Sequence, residues 1–213
     1  MTDIQVFVIA VAIIFILWNM SKDPEGFRNV SRDEVCNGID GRCYGVVDKF
    51  SDRSQQRASE LLAYLNSFAI KFMRRLRKKY LWDKQGTYSD QDKVKFLLKN
   101  YNPDRIVENE PVTPNTTSYV EDKGKVFALC LRDYNKTGKA FLPKHTLEFV
   151  TLHEMAHMAT RTIGHGVEFW RNFKFLLIEA KAAGLHFPVD YSKSPINYCT
   201  LHVDYNPYFD ARL

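Results

Sequence analysis

The four cysteines include no CxxC pair, and the chain has no internal repeat and no low-complexity tract. Lacking CxxC, it offers no thiolate zinc knuckle or thioredoxin-type redox site. Nor does it carry enough charge of one sign to name a partner. A net charge of +5 over 213 residues is compatible with nucleic acid, with an anionic membrane surface or with neither, and nucleic acid is not favoured. The length suits one domain with appendages. Hydrophobic residues make up 45%, enough for a core. Cys36 and Cys43 bracket CNGIDGRC, a loop that a disulfide could close. For a domain facing the cytosol the expectation is four reduced thiols, Cys130 and Cys199 included.

One long apolar run stands out. From Ile4 to Trp18 only Gln5 is polar, and the run extends to Met20. That is the short end of a bilayer-spanning helix. No Lys or Arg precedes it and no convincing cleavage site follows, which disfavours a removed signal peptide. Lys22, Arg28 and Arg32 come soon after it. The expectation is a single-pass anchor over residues 4–20 with the C-terminal bulk in the cytosol. The Asn-x-Ser/Thr triplets at Asn29, Asn115 and Asn135 matter only in a lumenal chain.

Residues 21–53 are polar and read as a linker. From Ser54 to Trp82, Leu61, Leu65, Phe68, Phe72 and Leu76 recur at spacings of three and four, the stripe of an amphipathic helix. Its end, KFMRRLRKKY, is basic: a solvated face, or a contact for phosphates or lipid headgroups. Ser89 with Asp92 marks a second helix start. Tyr119-Val120 and Lys125–Arg132 read as two strands joined by EDKG. The domain then runs over 54–213, with a C-terminal tail from residue 185.

The chemistry lies in TLHEMAHMATRTIGHGVEFW, residues 151–170. His153 and His157 are one helical turn apart and can close on one ion; Glu154 leans toward the same ion as a base. This is the HExxH arrangement. A catalytic zinc site uses three protein ligands and keeps one position open. His165 is the expected third ligand and Glu168 its rival. A continuous helix would carry His165 out of reach, so Gly164 and Gly166 must turn the chain back. Val167–Ala183 then forms the next helix. His145, His186 and His202 lack such spacing.

HEMAH followed by HGVEFW resembles the zincin metallopeptidases of the WLM and SprT-like groups, with KVFALCLR and FLPKHTLEFVTLHEMAH similar to their edge strand and active-site helix. Similar chains with a greasy N-terminus are encoded by large DNA viruses. The resemblance implies an α+β, zincin-like fold: the active-site helix packed on a small, mostly antiparallel sheet, after an N-terminal transmembrane helix. KVFALCLR would be the edge strand that binds an extended peptide. It also implies a zinc metalloendopeptidase with one Zn2+ per chain, held by His153, His157 and His165, and Glu154 as general base. Tyr191, Tyr198 and His202 are candidates to stabilise the oxyanion. The alternative is a catalytically idle zincin fold serving as an anchored structural protein, for instance in a virion.

Overall fold

The computed structural model describes residues 30–111, 117–136 and 139–213. Ser31–Leu213 forms one compact unit. From Ser31 onward, the polar stretch expected to be a linker therefore already belongs to the domain. Strands β1 (Arg32–Cys36) and β2 (Cys43–Val47) form a hairpin there, closed by a Cys36–Cys43 disulfide. The hairpin was hidden because β1 is mostly exposed and polar; only β2 sends Tyr44, Val46 and Val47 into the core.

Helix α1 (Asp52–Leu76) follows and passes into a π-helical segment, Arg77–Trp82. Its stripe of Leu61, Leu65, Phe68, Phe72 and Leu76 is buried as expected. Helix α2 (Tyr88–Asn100) is capped by Thr87, whose hydroxyl accepts from the Asp90 amide while the Asp90 carboxylate accepts from the Thr87 amide. The reciprocal pair sits two residues before the expected Ser89–Asp92 start; Thr87 wins because Asp90 can answer it.

Strands β3 (Ile106–Asn109), β4 (Tyr119–Glu121) and β5 (Val126–Cys130) complete a five-stranded sheet in the order β1-β2-β3-β5-β4. Its centre is parallel: β2 with β3, and β3 with β5. Only the outer pairs are antiparallel. This corrects the expectation of a mostly antiparallel sheet. The helical passage from β2 to β3 is the kind of crossover that parallel neighbours require. It also corrects the edge strand. KVFALCLR supplies β5, an inner strand with Phe127 through Leu131 all buried. A continuous apolar run is what a strand covered on both faces needs. The outer strand on that side is β4.

The expected transmembrane helix falls on residues 4–20. Residues 4–20 lie outside the described residues, and among the described residues no helix is long and apolar enough to cross a membrane. The described fold is an α+β domain with a mixed sheet and four α-helices.

Helix α3 (Lys144–Ala159) is buried nearly all round from Thr146 to Ala159, and it packs against α1, α2 and α4 (Val167–Ala182). The tail after α4 is folded rather than loose. Strands β6 (Ile196–Tyr198) and β7 (Leu201–Val203) form a second hairpin, joined to the end of β5 by a Cys130–Cys199 disulfide. All four cysteines are paired, against the expectation of free thiols.

Candidate metal centre

Helix α3 supplies the first two histidines one turn apart. It stops at Thr160, whose backbone is extended. The Thr160 hydroxyl donates back to the Ala156 carbonyl at 2.7 Å, and the Asn172 side chain of α4 donates to the Ala159 carbonyl at 3.2 Å. The helix end is thus satisfied by side chains while the chain turns. Gly164 takes the left-handed φ of +80° that this reversal needs. His165 is delivered back over α3. Its Nε2 lies 3.1 Å from Nε2 of His157 and 3.1 Å from Nε2 of His153.

That spacing fits a metal. Two nitrogens, each about 2.0–2.1 Å from a tetrahedral zinc, stand about 3.3 Å apart. The ligand atoms of the three histidines all lie within 4.8 Å of one another. The rings are wedged by Phe169, which is fully buried, with centroids 4.3 Å from His157, 4.6 Å from His165 and 4.9 Å from His153. Burial pushes all three imidazoles down: His153 well below its ordinary value, with help from His157 and His165, His157 to about 4, and His165 less far. Neutral imidazole is the form that binds metal.

Glu154 is 3% exposed, and its Oε2 has no hydrogen-bond partner. Burial raises its carboxyl to about 8; a dication on the triad would lower it again. An orphaned carboxylate oxygen beside three converging nitrogens is costly unless something there uses it.

The triad and Glu154 open on a cleft of about 850 Å³. One side carries Tyr119 and Val120 of β4. The inner wall is apolar, with Phe149 and Val150 of α3 and Phe173 of α4. The far wall is the β6–β7 hairpin, with Tyr198, Leu201, His202 and Val203.

The structure separates the remaining candidates. The Tyr198 hydroxyl donates to the Cys130 carbonyl at 2.9 Å and shares a hydrogen bond with Ser118, so it is committed to holding the hairpin. Tyr191 is buried edge-on against Phe149 and does not line the cleft. His202 does line it, exposed, with Nδ1 3.2 Å from Oδ1 of Asn197. His186 belongs to the core, its Nδ1 3.2 Å from Glu148. Glu168 is not gathered with the triad: its Oε1 accepts from the Arg161 amide, and its Oε2 from the Thr162 amide and hydroxyl. Sequence reasoning missed Lys123, whose ammonium donates to the Thr160 and Thr162 carbonyls. No sequence signal pairs a lysine with backbone carbonyls 37 and 39 residues away. It also missed the tie between Cys130 and Cys199.

No family model and no solved structure matches the chain. Curated relatives do. "Uncharacterized protein R325" of Acanthamoeba polyphaga mimivirus is 37% identical over 99 residues, 46% of this chain and 49% of that protein. "Uncharacterized protein 042R" of Invertebrate iridescent virus 3 is 37% identical over 106 residues, 49% of this chain and 62% of that protein. "Uncharacterized protein 136R" of Invertebrate iridescent virus 6 is 32% identical over 104 residues, 48% of this chain and 56% of that protein. The chain spans between half and two thirds of each relative, or just under that. Over just under half of its own length, it is similar to proteins of viruses.

Proposed function

We propose that the domain is a zinc-dependent peptidase. The observation that carries this reading is Glu154: buried, with Oε2 unpartnered, one residue from a ligand position and facing the same cleft as the triad. A zinc held only as a staple has no use for such a carboxylate. His153, His157 and His165 would hold the ion. When bound, zinc supplies Lewis acidity, acidifying water and polarising a carbonyl.

The chain's own residues do the rest. Strand β4 ends the sheet on the cleft side, with no further strand beyond it among the described residues. An extended polypeptide can pair along it and bring a peptide carbonyl to the triad. Glu154 takes a proton from the attacking water at its free oxygen. As the C–N bond breaks, it passes that proton to the leaving amine. The apolar inner wall keeps bulk water from this exchange.

The test is Glu154→Gln, assayed for zinc content and for cleavage of unfolded polypeptides beside wild type. Zinc retained with cleavage lost supports the reading. Zinc in both proteins with cleavage in neither overturns it, in favour of a structural protein with an idle site.

A further inference from the structure

The third histidine sits on the least packed part of the site. Residues 161–167 are all exposed, Ile163 at 95%. Apart from its chain neighbours, no atom lies within 4 Å of where a Cβ on Gly164 or Gly166 would stand. Beyond the His165 ring against Phe169 and Trp170, apolar packing does little to hold this loop, and a free loop of six or seven residues would sample many positions for His165.

Polar contacts hold it instead, from two sides and with opposite charges. Lys123 donates to the Thr160 carbonyl at 2.6 Å and the Thr162 carbonyl at 2.9 Å, and reaches the His157 carbonyl at 3.4 Å. Glu168 accepts from the Arg161 amide at 3.2 Å, the Thr162 amide at 3.3 Å and the Thr162 hydroxyl at 3.0 Å. The ammonium meets the negative end of α3 and the carboxylate sits in the first turn of α4, each where the helix dipole favours it. Charge-assisted bonds of this kind are the strong ones.

Lys123 is itself held in place. It lies in the β4–β5 turn, where Asp122 and Lys123 take left-handed φ values of 44° and 59°. The next residue, Gly124, has φ 120°, and a Cβ there would stand 2.0 Å from the Asn100 carbonyl. The turn is thus seated on the end of α2. Asn100 in turn donates to the Met158 carbonyl at 2.8 Å. The ammonium is carried by a backbone braced against α2, and α2 is bonded to α3.

We infer that Lys123 and Glu168 are positioning residues for the third metal ligand, clamping the 160–166 loop so that His165 meets His153 and His157. The inference rests on the metal reading of the triad. Neither residue touches the metal position. Lys123 also belongs to the turn that follows the cleft strand β4, so one side chain ties the substrate-facing strand to the ligand loop.

The experiment measures zinc affinity by competition with a chromophoric chelator, and the visible spectrum of the cobalt(II) form. Wild type is compared with Lys123→Met, Lys123→Arg, Glu168→Gln and His165→Ala, with unfolding of each metal-free protein alongside. Lys123→Met and Glu168→Gln are expected to weaken zinc binding by about tenfold to a hundredfold, the range for lost ligand-orienting partners. Their cobalt spectra should shift toward that of His165→Ala while metal-free stability holds. Lys123→Arg should recover most of the affinity. Should Lys123→Met not fold, Glu168→Gln carries the test. Unchanged affinity and spectrum in both variants overturn the clamp and leave the metal reading intact. So does an affinity loss that only follows lost folding. A folded wild type that binds no zinc overturns both.

Discussion

Nε2 of His165 stands 3.1 Å from Nε2 of His153, although twelve residues and a chain reversal separate them. With both rings driven toward neutrality by burial, nitrogens so placed could hold an ion. One zinc per chain is therefore expected by elemental analysis of protein purified without added metal. Zinc at a free concentration of 100 times Kd should raise the unfolding free energy by about 2.7 kcal/mol. His165→Ala should remove most of that gain. A melting curve indifferent to zinc in a folded protein would sink the metal reading.

The ion pair of Glu108 and Arg132 is the most deeply buried charge in the sheet. Arg132 Nε donates to Glu108 at 2.7 Å, with the side chains 2% and 0% exposed. The guanidinium is sandwiched between Phe50 and Phe141, 3.8 and 4.2 Å from their centroids. Removing one partner strands the other charge. Glu108→Gln or Arg132→Met alone should cost about 3–5 kcal/mol in urea unfolding, and the double variant less than the sum.

The two disulfides should differ in worth. By loop-closure entropy the 69-residue separation of Cys130 and Cys199 corresponds to about 4 kcal/mol, against about 2 kcal/mol for the short Cys36–Cys43 loop. Cys130→Ser with Cys199→Ser should lower stability more than Cys36→Ser with Cys43→Ser. It should also loosen the cleft's far wall, read as faster amide exchange in β6 and β7. Equal losses would count against this ranking.

Glu148 on α3 carries a pH dependence. Burial alone would raise its carboxyl, but hydrogen bonds from His186 and Tyr64 outweigh it and hold the group below its usual value. A carboxylate lowered in the folded state stabilises above its unfolded pKa, about 4.3, and loses that contribution as pH falls through the folded value. Thermal unfolding between neutral and strongly acidic pH should show wild type losing stability on that limb more steeply than Glu148→Gln. Parallel curves would refute the assignment.

The histidine triad was legible because most of it is local. HExxH needs only the helical period, and Gly164 and Gly166 announce the reversal that returns His165. The α1 stripe was legible for the same reason. What failed was long-range or two-sided. For KVFALCLR the resemblance implied an edge strand, whereas burial on both faces is why the run is nearly all apolar. The β1–β2 hairpin passed for linker because an exposed strand has little apolar pattern to show. Lys123 and Glu168 act on backbone carbonyls and amides, which every residue carries and no side-chain pattern marks. The Cys130–Cys199 tie depends on where the tail folds, and spacing alone does not say.

Helix α3 is enclosed on nearly every side, and the same sixteen residues carry His153, His157 and Glu154, the first two proposed as metal ligands and the third as the base. Few of its positions face water, so few can drift neutrally as a lineage diverges. In a saturation scan of this helix, substitutions that break the core and those that break the proposed chemistry would both score as loss. Telling them apart requires a selection that reports folding separately from turnover.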